Sequence, residues 1–198
     1  MSRWEPDGVG RLQAAAFELF AEQGYERTTV AEIAERAGLT KRTFFNHFAD
    51  KREVLFGPAS QAQREAVVAA IAACPPSLPP LDAVLRGLLA TADFFQEHRE
   101  SVIRRNGIVE ANPELQEREL NKQAALTDAV AQALRERGVD ADTALLSARA
   151  GALVQQTAMR QWMRSESGRH LRDHMTDALA ALRALTESRP SGQASSSA

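Results

Sequence analysis

The stretch from residue 29 to residue 48 constrains this chain most, because it carries the signals of two short helices joined by a tight turn. Thr29 and Glu32 have the spacing of a capping box, in which each side chain accepts a backbone N–H at the start of a helix. Gly38 can adopt the left-handed conformation that ends a helix. The first predicted helix therefore runs from Val30 for about two turns.

The second helix of this stretch is predicted to begin after Thr40, whose hydroxyl can cap it. Leu39 and Phe44 have the spacing of a hydrophobic staple, and Phe44 and Phe48 share the inward face. The side chains left outward are mostly basic or hydroxylated; they are Lys41, Arg42, Thr43 and His47. The two helices form a predicted helix-turn-helix.

Composition favours an all-α protein, since leucine and alanine dominate the apolar residues and 198 residues suffice for one large core or two small ones. The one cysteine excludes an internal disulfide framework and fits a reducing compartment. The first residues lack the apolar core of a signal peptide, and no apolar run reaches the length of a membrane helix. We therefore expect a soluble, cytoplasmic protein.

The charge is nearly balanced, with 24 basic against 26 acidic residues, but its distribution is uneven. Residues 37–52 contain four basic residues and one acidic residue, Asp50. The basic residues are Lys41, Arg42, Lys51 and Arg52. A local basic face of this kind suits contact with DNA phosphates. Charge alone leaves open that these are ordinary solvated side chains.

Breaks in the helical pattern divide the chain into three parts. A first helix ends at Gly24, and a fourth, capped by Asp50, is broken or kinked at Gly57-Pro58. The predicted parts are a helix-turn-helix domain over 1–57, a second helical domain over 58–187, and a disordered tail over 188–198.

The N-terminal part resembles the DNA-binding domain of TetR-type transcriptional regulators. The resemblance rests on the segments GYERTTV (24–30), IA (33–34), AGLT (37–40) and RTFFNHF (42–48), followed by Lys51. It implies a three-helix helix-turn-helix domain followed by an antiparallel helical bundle. It also implies a homodimer on a palindromic operator, released by a small, mostly apolar effector.

The resemblance implies that the second helix of the helix-turn-helix is the recognition helix. In it, Arg42 is expected to contact a guanine and Thr43 to make a methyl or hydroxyl contact. Phe45 departs from the family's usual tyrosine, so its contact would be apolar or absent. The expected DNA-binding residues are Thr29, Thr40, Lys41, Arg42, Thr43, Phe45, Asn46, His47 and Lys51.

The second part of the chain is predicted from helical periodicity. One apolar helical face runs from Leu81 to Phe95, a short helix starts at Val102–Ile103 and runs into Asn106–Gly107, and Asn112 and Asp142 start the next two helices. A ligand would bind between facing helices. The candidate lining is Phe94, Phe95, Ile103, Asn106, Gln155, Met159 and Trp162, for each of which plain core packing is the alternative.

The last helix carries Leu171, Met175, Ala178, Leu182 and Leu185 in a coiled-coil-like seam. With the small residues Ala148, Ala150, Gly151 and Ala152, the seam is predicted to form a dimer interface, with packing inside the chain as the alternative.

Catalytic, cofactor and metal motifs are missing from the sequence, so we expect no enzyme, no cofactor and no metal site. His170 and His174 share a face without a third ligand, and Cys74 is expected to be a small apolar filler. The competing hypothesis is a ligand-binding or interaction protein whose helix-turn-helix no longer reads DNA.

Overall fold

The computed structural model describes residues 8–187, with the side chains of residues 58, 59, 186 and 187 left out; the predicted tail, 188–198, lies outside the described residues. Ten α-helices make up the described part of the chain, as the sequence predicts for an all-α protein. They are α1 Gly8–Gln23, α2 Val30–Arg36, α3 Lys41–His47, α4 Glu53–Ala72, α5 Pro80–Leu89, α6 Ala92–Glu97, α7 Arg99–Glu110, α8 Pro113–Glu136, α9 Ala141–Arg164 and α10 Leu171–Glu187.

The first three helices and the start of α4 pack around one small core. Its fully buried side chains include Leu12, Ile33, Phe44 and Val54, one from each helix. Gly24 and Gly38 have φ of 86° and 65°, and they follow the ends of α1 and α2 as predicted.

Helix α4 connects this core to the rest of the molecule. Asp50 accepts the backbone N–H groups of Arg52 and Glu53 at its start, at 2.8 and 3.1 Å. The helix bends at Gly57, whose φ and ψ of −31° and −135° are not helical, and then continues to Ala72. Of the two predicted alternatives at Gly57-Pro58, a break or a kink, the structure shows a kink within one helix.

A second core lies between the later part of α4 and helices α5, α8, α9 and α10. It is built from large apolar side chains of each helix, such as Ile71, Val84, Leu134, Trp162 and Met175. The helices approach closely at two buried glycines. A Cβ at Gly87 would lie 2.8 Å from Ile71 Cγ1, and one at Gly151 would lie within 3.0 Å of Val84 Cγ1.

Two predicted helices have different limits in the structure. The apolar face from Leu81 to Phe95 is divided between α5 and α6, because the Thr91 hydroxyl donates to the Leu88 carbonyl at 3.0 Å and the chain turns there. In contrast, α7 continues through Asn106 and Gly107 to Glu110. A single glycine costs a helix about 1 kcal/mol, which packing can offset.

The predicted start of α8 at Asn112-Pro113 is confirmed without a side-chain cap, and the predicted start of α9 is revised. Asn112 precedes α8, but its side-chain amide donates to the Ile108 carbonyl at 2.6 Å and does not cap the helix. Asp140, not Asp142, caps α9, since its carboxylate accepts the Thr143 N–H at 3.0 Å.

The seam predicted for dimerisation packs mainly inside the chain. Leu171 and Met175 are fully buried in the second core, Ala178 is 8% exposed, and Leu182 packs against the same core. Ala148 and Gly151 are buried as well, with Gly151 against α5. The periodicity of α10 identified an apolar face that must be buried, and the chain's other helices bury most of it.

The two cores meet where α7 turns into α8. Val109 and Leu115 are buried in the N-terminal core, and Ile108 packs against it. The corner between α7 and α8 therefore belongs to both halves of the molecule. Between residues 8 and 187, no helix is both long enough and apolar enough to cross a membrane.

We expect Gly151→Ala to lower the free energy of unfolding by about 1–3 kcal/mol, because the added methyl group overlaps Val84 where α9 crosses α5. Chemical denaturation measures this. The matched control is Gly107→Ala, also within a helix but with no atom within 4 Å of the added Cβ, which should stabilise by about 0.5–1 kcal/mol. Equal effects of the two changes would contradict close packing at Gly151.

Candidate nucleic-acid interface

The orientation of α3 is fixed by contacts at its start and along its inner side. The Thr40 hydroxyl accepts the Thr43 N–H at 3.1 Å and so caps the helix. Phe44 is completely buried, and its ring centroid lies 5.4 Å from that of Phe48. Leu39 packs against the same core, as the predicted staple requires.

The outer side of α3 presents four exposed side chains, Lys41, Arg42, Phe45 and Asn46, which we call the α3 face. Within the described part of the chain, Lys41, Arg42 and Asn46 form no side-chain hydrogen bond or ion pair. Phe45 is 56% exposed, and its ring lies edge-on to that of Phe44 with the ring centroids 5.5 Å apart. An exposed aromatic beside two unpaired cations has no evident role in the fold.

The hydroxyl groups of the three predicted threonines are already engaged. Thr29 donates its hydroxyl and its N–H to the Glu32 carboxylate at 2.7 and 2.8 Å, and it accepts the Glu32 N–H, which completes the predicted capping box. The hydrogen bonds from Thr29 hold the pKa of Glu32 below its ordinary value. The hydroxyls of Thr40 and Thr43 lie 2.9 Å apart.

The side chain of Lys51 is bound within the fold, whereas that of His47 is exposed. The Lys51 ammonium donates to the Tyr25 carbonyl at 2.7 Å and lies 3.9 Å from the centre of the Tyr25 ring. Lys51 thus holds the turn after α1 in place. His47 is exposed at the end of α3, where its ring lies 6.5 Å from that of Phe48.

Three acidic groups near the helix-turn-helix, Glu18, Glu22 and Asp50, pair with arginine. Arg36 forms ion pairs with Glu18 at 3.3 Å and Glu22 at 2.8 Å, and Arg52 pairs with Asp50 at 2.7 Å. The hydrogen bond from Arg36 lowers the pKa of Glu22. These pairs leave the cations of the α3 face uncompensated.

Sequence reasoning missed the junction between the two cores, which centres on Arg105 of α7. The Arg105 Nε donates to the Leu55 carbonyl at 2.7 Å, and its guanidinium lies 4.6 Å from the centre of the Phe56 ring. The same side chain pairs with Glu119 of α8 at 2.5 Å. No local pattern signals these contacts, because Arg105 and Leu55 are 50 residues apart.

Two further contacts surround this junction. Arg118 of α8 pairs with Glu53 at the start of α4. Burial and a hydrogen bond with Glu114 raise the pKa of the Tyr25 phenol.

Burial would raise the pKa of Glu119, but the positive charges of Arg105 and Lys122 outweigh this effect, and the pKa of Glu119 lies below its ordinary value. The Glu119 carboxylate therefore stays ionised and keeps Arg105 in position.

The candidate ligand residues are not all brought together. Trp162 is buried, and its indole N–H donates to Gln96 Oε1 at 3.0 Å. Phe94 lies at the surface, 51% exposed and stacked on His98 at 4.5 Å. Phe95 and Met159 pack against the second core, while Ile103, Asn106 and Gln155 are half-buried. Among residues 8–187, no group of three potential metal-binding side chains occurs.

The structure combines a helix-turn-helix, whose second helix presents unpaired basic side chains, with a bundle of further helices. This combination defines the class of helix-turn-helix proteins with an all-α second domain. Residues 12–56 match the family described as bacterial regulatory proteins, tetR family. Residues 78–187 match the MftR C-terminal domain. The chain belongs to the TetR family.

Three similar proteins illustrate the range of the likeness. The HTH-type transcriptional regulator TcmR of Streptomyces glaucescens is 49% identical over 74 residues, 37% of this chain and 32% of TcmR, so the chain matches about a third of that relative's length. A Mycobacterium tuberculosis protein named for regulation of mycofactocin biosynthesis, MftR, is 27% identical over 79% of this chain and 80% of its own. The TetR family repressor FadR of Thermus thermophilus, solved with lauroyl-CoA, is 25% identical with a TM-score of 0.53, over 96% of this chain and 99% of that chain.

We expect Lys51→Ala to lower the free energy of unfolding by about 1–2 kcal/mol, because it removes the bond to the Tyr25 carbonyl and the contact with its ring. Thermal and chemical unfolding measure the change. The matched control is Lys41→Ala on the α3 face, which should change stability by less than about 0.5 kcal/mol. A Lys51 variant as stable as the Lys41 variant would show that the contact with Tyr25 contributes nothing.

Proposed function

We propose that this protein is a ligand-responsive transcriptional regulator of the cytoplasm, a repressor that binds a palindromic operator as a homodimer. The observation that carries the proposal is the α3 face, where Lys41, Arg42, Phe45 and Asn46 are exposed while the opposite side of the helix is anchored by Phe44. A rigidly held helix with free basic and amide groups suits the major groove.

Each exposed group of the α3 face has a role that its chemistry supports. Arg42 is the candidate for bidentate contact with guanine, and Lys41 and Asn46 can donate to base edges or phosphates. Phe45 lacks the hydroxyl that would donate to a phosphate, but it can pack against a thymine methyl group. Thr43 offers a methyl group, while Thr29, Thr40, His47 and Lys51 would act at the edges of the site, through backbone N–H groups or at the DNA backbone.

The effector in this proposal is a small, mostly apolar molecule held in the second core. Phe95, Ile103, Met159 and Trp162 would supply the apolar walls, with Phe94 at the rim. Asn106 and Gln155 have no side-chain hydrogen bond within the described residues and would recognise a polar group of the ligand. The FadR structure with lauroyl-CoA supports an effector that has a long apolar part.

Two exposed leucines support a dimer. Leu146 and Leu153 are 71% and 53% exposed, and they lie seven residues apart on one face of α9. A second copy of the chain covering this face would place the two α3 helices for successive major grooves.

The response to the effector would pass through the Arg105 junction. Arg105 contacts the Leu55 carbonyl and the Phe56 ring on α4 and pairs with Glu119 on α8. A ligand that favours a different position of α7 would therefore shift the N-terminal core with it. The ligand must bind one arrangement more tightly than the other, since otherwise no population shifts.

We expect Arg42→Ala to weaken binding to a selected operator by about 1–3 kcal/mol and to relax specificity at one base pair. The operator is selected from random duplexes, and binding is measured by fluorescence anisotropy over a range of salt concentrations. A uniform loss over all sequences would show that Arg42 contacts phosphate.

The control for this experiment is Arg104→Ala, which removes an exposed arginine of α7 outside the α3 face and should leave affinity unchanged. If the unaltered protein shows no sequence preference even at low salt, the repressor proposal is wrong and the chain is a ligand-binding or interaction protein.

We expect Arg105→Lys to loosen the junction while the protein stays folded, because lysine keeps the charge but cannot contact Leu55, Phe56 and Glu119 together. Hydrogen exchange of residues 53–57 should accelerate about tenfold, which corresponds to about 1.4 kcal/mol of local opening. The neighbouring variant Arg104→Lys is the control and should exchange like the unaltered protein. Unchanged exchange in Arg105→Lys would mean that the junction does not depend on the guanidinium.

A further inference from the structure

A cleft of about 410 Å³ opens where the end of α9 and the loop after it meet the joint between α6 and α7. Its charged and hydrogen-bonding lining comprises Gln96, Arg99, Arg164, Ser165, Glu166 and Arg169. Three arginines against one glutamate give this lining a net charge of +2, in a chain whose total charge is −2.

Arg99 is held firmly at the inner wall of the cleft. Its Nη2 donates to the carbonyl groups of Trp162, Met163 and Ser165 at the end of α9 and just after it, at 3.2, 3.3 and 2.8 Å. Its guanidinium also lies 5.5 Å from the centre of the Trp162 ring. The structure shows no partner within the described residues for Nε and Nη1, so a positioned cation retains free donors.

Arg164 and Arg169 differ in whether their guanidinium groups already have a partner. Arg164 has no hydrogen bond or ion pair within residues 8–187. Arg169 pairs with Asp177 through Nη2 at 2.8 Å, at a site where both side chains are about half exposed. Exposed pairs of this kind are weak and exchange readily for a better ligand.

We propose that this cleft binds the phosphoryl group of a small metabolite. A phosphate monoester carries about −1.5 to −2 charges at neutral pH, which matches the charge of the lining. Arginine presents paired donors that fit phosphate oxygens, and Arg99 is fixed before the ligand arrives. The volume exceeds that of phosphate alone and falls within the range of small-molecule sites, which leaves room for the group that carries the phosphate.

The cleft borders the second core through Gln96. Its Oε1 accepts both the Trp162 indole N–H at 3.0 Å and the Leu171 N–H at 3.1 Å. A phosphoryl group in the cleft would thus be separated from the apolar interior by one side chain. The idea that the bound molecule is the effector rests on the proposed function, whereas binding itself does not.

Binding in the cleft would act on α7, because Arg99 is the first residue of that helix and Arg105 lies within it. A ligand that restrains Arg99 restrains the end of the helix opposite to the corner that enters the N-terminal core. This gives a phosphorylated molecule a route to the DNA-binding domain that does not require entry into the bundle.

The test is calorimetric titration of the full chain with inorganic pyrophosphate, with acetate as the carboxylate probe. We expect saturable binding of one pyrophosphate per chain and much weaker binding of acetate. Arg164→Gln and Arg169→Gln should each weaken pyrophosphate binding about tenfold or more, since each removes charge-assisted hydrogen bonds. Arg160→Gln, on α9 outside the cleft, is the matched control and should bind like the unaltered protein.

Three results would overturn the proposal: no saturable binding of pyrophosphate, equal losses in the Arg160 variant and the two cleft variants, or acetate binding as tight as pyrophosphate binding. Operator binding of Arg164→Gln in phosphate-free buffer is measured in parallel and should equal that of the unaltered protein. Loss of operator binding by every form of the protein would count against the proposed function, and the titration would still decide whether the cleft binds phosphoryl groups.

Discussion

Burial of Phe44 is the constraint on which the α3 face depends. A helix of seven residues has little stability of its own, so α3 exists because its inner side is anchored in the N-terminal core. With Phe44 fully buried, the helical repeat directs Arg42, Phe45 and Asn46 outward, while Lys41 is exposed as the first residue of the helix. The hydrogen bond between Thr40 and Thr43 fixes the first turn. Rigidity and exposure of the α3 face therefore have one cause.

The same N-terminal core receives residues from the second half of the chain, so the two halves cannot move independently. Val109 and Leu115, at the corner of α7 and α8, are buried in it, and Arg105 adds polar contacts to α4. A shift of α7 must therefore either carry the N-terminal core along or expose apolar surface. The two halves are thus coupled because side chains from both are buried in one core. The hydrogen bond and ion pair of Arg105 add to this coupling.

Sequence alone predicted those features that depend on neighbours in the chain. The capping box of Thr29 and Glu32, the glycine ends of α1 and α2 and the kink at Gly57 all follow from local chemistry. Features that join distant residues were not predictable, such as the Lys51 bond to Tyr25, 26 residues away. Periodicity also identified the apolar side of α10 but could not tell whether α9 or a second copy covers it, and in the structure α9 covers much of it.

The arrangement of charge shows how a slightly acidic chain could bind DNA through the α3 face, as we propose. The net charge of −2 gives no long-range attraction to DNA, although beside the helix-turn-helix Arg36 pairs with Glu22 and Arg52 with Asp50. Only a few free cations remain at the α3 face, so few phosphates can be neutralised and non-specific affinity should be small. Binding must then depend on contacts with base edges and on the pairing of two half-sites, which makes the position of each α3 helix more important than the total charge. In the proposed regulator, the junction at Arg105 would control that position.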